Sequence, residues 1–480
     1  MLLQVHLRSA KLCQCSSRHP GLPNRTPTAT SRRLYSVQQP SLRPQKLHFY
    51  RGAGILTSAS LDDLDLDIPS ISEDLGDYQR DAGAYFKDGT SIPEHFGNDA
   101  EAYRAAREGV VLVDRSHWGR LRLTGEGRLS FLQGQSTANV LELVPGQSCE
   151  TVFVNAQARC VDLATCYVSE KGITILVSPC MASRVQAMLE ARIFPADQVK
   201  IADVSEDTAL FSLVGPGSAD LLEKLGAGRV MEAGPGEPGR HMLLSCKGSP
   251  VLVALGCGLP SPGFTLLVDA SAAGELWIAL TAQGAVPMGE RGWQQLRVKA
   301  GRPGAGSELT ADWTPLEAGL AGCVSLAKGC YVGQETLAKV HRLAATRHAL
   351  WGLDLAGPAA LGLPILSGGT KVGVLTSCVQ LPNGHHAGLG YIRQRGKGIQ
   401  EGSPEGQEVE VGDVAATIVH IPAAQHTVPD QQLPQKKVEP TQQLGPAGDR
   451  LEVGKQDPAK EERLRAMQER LAAWQAQQQA

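Results

Sequence analysis

The sequence predicts an α+β protein, in which a body of mixed strands and helices is followed by a small β-barrel without helices. Two observations carry this. Over residues 81–346, strand-like apolar runs and helical runs follow one another irregularly, as in α+β layers and unlike the strict alternation of a doubly wound parallel sheet. Over residues 348–420 the runs are short and strand-like, with turn signals at Gly368-Gly369, Asn383-Gly384 and Gly412-Asp413. A barrel closes such a set without leaving edges. At 480 residues the chain also exceeds one small core, so two or three domains are expected.

Taken in order, a helix is predicted over 99–108, capped by Asn98, with Glu101 completing a capping box and Gly109 ending it. Residues 110–113 form a short buried strand. Residues 119–124 alternate as a strand and lead into a helix around 129–132. Residues 150–178 hold β-branched strand runs that turn at Glu170-Lys171-Gly172. Helices follow at 181–191, 217–225, 271–283 and 290–300, with strands at 208–214, 250–256 and 264–268. No internal repeat of 20–50 residues is visible.

The ends differ from the body. Residues 1–61 contain no acidic side chain, nine Lys or Arg and many Ser, Thr and Pro, the composition of an organelle transit peptide. Charge reverses over residues 62–80, which form an acidic linker, and the folded α+β region spans 81–346. Residues 347–422 are the barrel. Residues 423–480 are a Pro- and Gln-rich tail with a helix at about 458–477, capped by Asp457 and carrying Leu464, Met467, Leu471 and Trp474 on one face.

Composition narrows the function. A net charge of −3 argues against nucleic-acid binding, and no apolar run is long enough for a membrane-spanning helix. Eleven cysteines include no C-x-x-C pair, which speaks against zinc or ferredoxin-type sites and for a reducing compartment. One cysteine stands apart. In Lys328-Gly329-Cys330-Tyr331-Val332-Gly333-Gln334-Glu335, two glycines allow sharp turns on either side of Cys330, and Lys328 is a cation that would favour its thiolate. Gln334 and Glu335 can fix the turn through the backbone. Cys330 is therefore the candidate reactive group, with Lys328 as its partner.

This octapeptide resembles the K-G-C-Y-x-G-Q-E motif of the YgfZ-type branch of the glycine-cleavage T-protein superfamily. Asp114-Arg115-Ser116-His117-Trp118-Gly119-Arg120 resembles the superfamily's D-x-S-H-x-G segment. Phe131-Leu132-Gln133, Thr137-Ala138-Asn139, Pro287-Met288-Gly289, Leu296-Arg297, Gly301-Arg302-Pro303 and Leu316-Glu317-Ala318-Gly319-Leu320 extend the likeness over about residues 80–422. The nearest likeness is to the plastid-targeted plant and algal group, described as folate-dependent transferases. The resemblance implies a split N-terminal α+β region with a ferredoxin-like part, joined to a C-terminal β-barrel around a central channel. It implies tetrahydrofolate or a derivative as cofactor, and a role in iron–sulfur cluster assembly with cluster carrier or scaffold proteins as partners. It also implies a monomer in the chloroplast stroma, with the mitochondrion as the alternative.

Within that resemblance, Trp293 would stack on the pterin. Arg297 would face the anionic end of the folate or pair with Glu317. His117 and Tyr167 would belong to the pocket wall, and Asp162 would be the remaining acid of the T-protein's G-G-x-x-D-D segment. The second acid position is Leu163, which can neither accept a proton nor bond an amine. The segment that supplies a glutamate to the pterin reads Ser261-Pro262-Gly263-Phe264-Thr265, and an arginine before the Leu-Arg pair is replaced by Trp293. These losses argue against ordinary aminomethyl transfer. A lone thiol also cannot hold a cluster that needs four protein ligands, so no permanent metal is expected and Cys330 would be a transient ligand. Three readings stay open: an assembly factor, a one-carbon transferase and a non-catalytic scaffold.

Overall fold

The computed structural model describes residues 49–50, 74–226, 239–246, 248–400 and 403–422. All of the expected transit peptide but residues 49–50, most of the acidic linker and the tail helix lie outside these residues. The expected linker ends earlier than its composition suggests. Helix α1 (Leu75–Asp81) is capped by the Asp74 side chain, which accepts from Gly76 N. Its Gln79 is buried and donates to Asp114 at 2.8 Å, so the folded body begins here and not at residue 81.

Two short strands, β2 (Tyr85–Phe86) and β3 (Pro93–His95), pair with each other, and β1 (Phe49–Tyr50) pairs with Ser245 and Cys246 of the main sheet, outside its continuous strand order. Helix α2 (Asp99–Glu108) ends at Gly109 as predicted. The capping box does not form, because Asn98 donates its amide to Pro287 O at 3.0 Å instead of capping its own helix. Strand β4 (Val111–Asp114) follows.

The chain then runs twice through one pattern, β-α-β-β-β-α-β. The first unit is β5 (Gly119–Thr124), α3 (Arg128–Gln135), β6 (Gln147–Val154), β7 (Cys160–Val168), β8 (Gly172–Val177), α4 (Ala182–Glu190) and β9 (Lys200–Asp203). The second is β10 (Thr208–Val214), α5 (Ser218–Lys224), β11 (Gly239–Cys246), β12 (Ser249–Leu255), β13 (Gly263–Asp269), α6 (Ala273–Ala282) and β14 (Val286–Met288). Spatial order repeats as well: β6-β7-β8-β5-β9 in the first unit and β11-β12-β13-β10-β4-β14 in the second. Strand β4 is inserted between β10 and β14, so the second unit is assembled from two separate stretches of chain, as the expected split region requires. The units share one 12-stranded sheet through β11 and β6, where Gly239 faces Ser148.

Each unit turns from its first strand into its first helix through a Gly-x-Gly segment, Gly125-Glu126-Gly127 and Gly215-Pro216-Gly217. Gly125 has φ +106°, and a Cβ there would lie 1.9 Å from Gln198 O. Gly215 has φ +125°, and its Cβ would lie 2.4 Å from Gly109 O. The duplication is wider than the 20–50-residue window of solenoid repeats and is carried by element order and by these turns, which explains its invisibility in residue identities.

Apolar faces of the helices cover the sheet in separate cores. Leu132, Val185 and Leu189 pack on Leu121, Ile173 and Ile175 in the first unit. Trp277, Leu276 and Leu221 pack on Phe211, Val251 and Leu266 in the second. Helix α7 (Glu290–Ala300) follows β14 and ends at Gly301, whose φ of +81° is a left-handed cap. Beyond α8 (Gln334–Arg342), which the sequence did not announce, lies the barrel: β15 (His348–Leu355), β16 (Pro364–Ser367), β17 (Thr370–Gln380), β18 (His386–Arg393), β19 (Glu408–Val411) and β20 (Val414–Val419). It closes in the order β15-β18-β17-β16-β19-β20, with hairpin turns at all three predicted signals. Val152, Val154 and Leu163 of the first unit, Val298 of α7, and Leu350, Leu389 and Tyr391 of the barrel form one cluster that seats the barrel on the body.

The Gly-x-Gly turns yield a stability test. Gly125→Ala would place a Cβ against Gln198 O in a strained backbone region, and we expect a loss of about 3 kcal/mol in urea unfolding. Gly134→Ala, where a Cβ meets no atom within 4 Å in α3, should instead gain about 0.5–1 kcal/mol.

Candidate functional site

Cys330 and Cys180 are the exposed cysteines among the described residues. The Cys330 loop is held on both flanks by buried groups. Before it, the Lys328 ammonium turns inward and donates to Ser136 O and Ala138 O, each at 2.6 Å, while lying 4.7 Å from the Tyr331 ring centre. After it, Val332 N donates to Gly134 O, and Gln334 Nε2 donates back to Lys328 O at 3.1 Å. Gly333, with φ +78°, starts α8 and presses against the turn of β6 and β7, where a Cβ would come 3.0 Å from Ala158 Cα. Tyr331 and Leu337 are buried with Ala158, Leu316 and Val324. Gly329 and Cys330 project between these anchors, and Glu335 is exposed in the first turn of α8.

This geometry corrects the expectation for Lys328. Its charge is directed to two carbonyls in the interior, not to the Cys330 thiol. Burial lowers its pKa to about 7, and the groups that raise it again are Cys149 and Cys166. Lys328 is thus a strut under the loop. The sequence places it two residues from Cys330, and successive side chains on a turn need not point the same way.

A second constellation lies in the interior, where the segment after β4 meets α7. Arg115 is 1% exposed, and its guanidinium covers Trp118 at 3.7 Å and Trp293 at 4.4 Å. Nη1 donates to Ser212 Oγ and to Cys257 O. No carboxylate among the described residues lies within ion-pair distance of it, Nε has no partner, and burial lowers its pKa to about 9. Trp293 stands edge-on to Trp118. Its face is taken by Arg115, so it is not the open stacking surface that the sequence suggested.

Glu290, the first residue of α7, was not anticipated. Oε1 accepts from Gln294 Nε2 at 2.6 Å, whereas Oε2 has no hydrogen-bond partner and lies 3.6 Å from His117 Nε2. Burial raises its pKa to about 7 against the opposing pull of the Gln294 bond, Arg115 and Arg297. Burial, followed by Arg115 and Arg120, lowers His117 to about 4, so the imidazole is neutral near pH 7 and its contact with Glu290 is not a full ion pair. The available signal for Glu290 was an acid directly behind Pro287-Met288-Gly289 at a helix start, which reads equally well as a favourable helix-dipole contact.

Asp162 is fully buried in β7. Oδ2 accepts from Ser178 N at 2.8 Å, Oδ1 has no partner, and burial raises its pKa to about 6 despite the Ser178 bonds and Arg302. Tyr167, also on β7, is buried edge-on to His241, and burial raises it to about 12. Arg115 is coupled electrostatically to Tyr167, Arg302 and Glu290, and Asp162 is coupled to Arg302. Of the sequence-predicted residues, Tyr167 and Trp293 share one buried cluster with Trp118, His117 lies beside Glu290, and Asp162 is tied to this region through Arg302.

Arg297 and Glu317 are not brought together. Arg297 pairs with Glu308 at 3.0 Å and donates to Ser377 Oγ, Gln294 Oε1 and Arg302 O. Glu317 lies 3.6 Å from Arg159 and 3.8 Å from His348, and it accepts from Thr314 N. Each finds a nearer partner supplied by a segment that sequence spacing does not reveal.

Residues 75–328 match the family described as the GCVT N-terminal domain. A chloroplastic protein of Arabidopsis thaliana, named as a transferase, is 39% identical over 83% of this chain and 90% of its own length. An aminomethyltransferase of Thermosynechococcus vestitus is 31% identical over 63% of this chain and 81% of its own. In structure, the glycine cleavage system aminomethyltransferase T of Bartonella henselae aligns with a TM-score of 0.61 and 21% identity, covering 72% of this chain and 96% of that one. At that identity the likeness establishes the shared fold.

The carboxyl of Glu290 makes stability depend on pH. It loses its proton near 4.5 when unfolded and near 7 when folded. Between these values the native state holds more protons, so rising pH removes stability. Glu290→Gln cannot suffer this loss, and its urea midpoint relative to the wild type should climb from about pH 4.5 to about pH 7 and level off above. Parallel pH profiles would show that the carboxyl is not held in its neutral form.

Proposed function

This chain belongs to the GCVT family, and from that premise we propose that it is a folate-binding accessory factor of the YgfZ type, serving iron–sulfur cluster assembly, maintenance or repair in the chloroplast stroma. The carrying observation is the Cys330 thiol, exposed between two buried anchors. A rigidly presented thiol can, on losing its proton, add one ligand to a cluster iron that a partner holds, or attack a disulfide on a carrier, forming a mixed disulfide as the carrier's other sulfur leaves as a thiolate. The cluster is cargo in this reading. Supply by a carrier protein follows from the single thiol, since a cluster takes four protein ligands.

The interior fits a folate head group in its polar complement. Arg115 Nε and Trp118 Nε1 are buried donors without partners, and Glu290 Oε2 and Asp162 Oδ1 are buried acceptors without partners. A pterin edge carries both kinds of group, and satisfying them removes the penalty of leaving them unpaired. Arg115, without a carboxylate of its own, favours an anionic or acceptor-rich ligand. Tetrahydrofolate, when bound, supplies a nitrogen that carries a one-carbon unit. Asp162 and Glu290, held close to neutral pH by burial, can accept or return a proton at an adjacent nitrogen. A carboxyl of this kind supports a second reading, a folate-dependent one-carbon transferase. The lost acid at Leu163 weighs against aminomethyl transfer as its particular reaction.

The first reading is tested by complementation in cells lacking the homologous factor, with an iron–sulfur enzyme as the readout. Wild type should restore that enzyme, and Cys330→Ala, folded equally well by circular dichroism, should not. Full rescue by Cys330→Ala would remove the thiol from the mechanism and leave the transferase reading, which purified protein turning over methylene-tetrahydrofolate in the presence of a carrier protein would support.

A further inference from the structure

A cleft of about 600 Å³ opens between the first turns of α7 and the turn joining β17 to β18. None of its lining residues belongs to the Cys330 loop. Three carboxyl side chains face it, from Glu94 on β3, Asp99 on α2 and Glu290 on α7. The only cation among the described lining residues, Arg291, is bound to Asp99. The remaining acids have no balancing charge in the wall.

Hydrogen bonding shows the same imbalance. Gln295 is 6% exposed, and its Nε2 donates to Gln380 O at 2.7 Å, which fixes the amide and leaves Oε1 buried without a donor. Glu290 Oε2 is likewise a buried acceptor without a donor. Among the described residues that line the cleft, every buried unpartnered side-chain atom is an acceptor, and none is a donor. The opposite wall is apolar, built from Val379, Leu381 and Pro382. What such a cleft lacks is a positive N–H donor on an apolar stem.

We propose that this cleft binds a primary alkylammonium, with its N–H groups on Glu290 and Gln295 and its methylene chain along Val379, Leu381 and Pro382. Charge-assisted hydrogen bonds to a carboxylate supply the affinity, and the apolar wall selects for an aliphatic chain. The same acids disfavour the polyanionic tail of a folate here. The cleft shares Glu290 with the interior constellation, differs from it in the ligand its wall selects, and does not rest on the folate reading.

Occupation should be linked to protons. The groups around Glu290 are Arg115 and His117 from the segment after β4, Glu94 from β3, Asp99 from α2, and Arg291 and Arg297 from α7 itself. His117 is neutral, and Glu94 opposes ionisation of Glu290. An arriving ammonium stabilises the ionised carboxylate, so binding near neutral pH expels a proton.

Isothermal titration of the full chain with 1,4-diaminobutane and n-butylamine tests this, with 1,4-butanediol and glutarate as uncharged and anionic controls. Both amines should bind and both controls should not. Affinity should rise from about pH 6 to about pH 8, with proton release seen as a dependence of the heat on buffer ionisation enthalpy. Glu290→Gln should weaken the amines at least about tenfold, the size of one charged hydrogen bond. Glu94→Gln, at the half-buried rim, should weaken them less while leaving the fold intact, and Cys330→Ala should bind as the wild type does. Absence of amine binding at millimolar concentration, equal binding of the diol, or unchanged affinity in both Glu290→Gln and Glu94→Gln would overturn the proposal.

Discussion

Glu308 is completely buried, and three parts of the molecule converge on it. Arg297 of α7 reaches it at 3.0 Å, and Thr376 and Ser377 of barrel strand β17 each donate to its other oxygen at 2.6 Å. The Gly304 amide donates to it as well, and its own backbone carbonyl accepts the Tyr391 hydroxyl of β18. A buried carboxylate is costly unless every lone pair is occupied, and an ion pair in this setting tolerates little displacement of its partners. The network therefore does more than add stability. It holds α7 and the barrel in one relative placement, and the interior constellation and the amine cleft both use α7 as a wall.

The thiol loop depends on a different support. Lys328 reaches the carbonyls after α3, and Gly333 rests on the β6–β7 turn, so Cys330 is referenced to the first unit of the duplicated sheet. The Glu308 network is referenced to α7 and the barrel. Under the proposed function this separation matters, because contact at the loop need not strain the interior. Lys328, with an ammonium bound by two carbonyls and covered by Tyr331, is a means of rigidity in a segment rich in glycine.

Much of the architecture was legible from periodicity and turn chemistry. The helices over 99–108, 181–191, 217–225, 271–283 and 290–300 and the barrel turns appear where apolar spacing and Gly-containing turns placed them. Those signals are local, and local signals survive in a sequence. The duplication was not legible, because it is a repetition of element order whose side chains have diverged. Helix α8 was hidden by the glycines in front of it, one of which is its left-handed N-cap. Asn98 was read as a cap, yet its amide found Pro287 O, a residue distant in sequence.

By itself the sequence determined the α+β class, the closed barrel and the glycine-flanked setting of Cys330, since each rests on residue type and short spacing. Tertiary structure decided which charges meet. It turned Lys328 away from Cys330, gave Arg297 to Glu308 and Glu317 to Arg159, laid Arg115 over the tryptophan expected to hold a ligand, and left one oxygen of Glu290 without a donor at the wall of a cleft. Electrostatic partners are chosen by distance and burial after folding, and neither quantity is written in the order of residues along the chain.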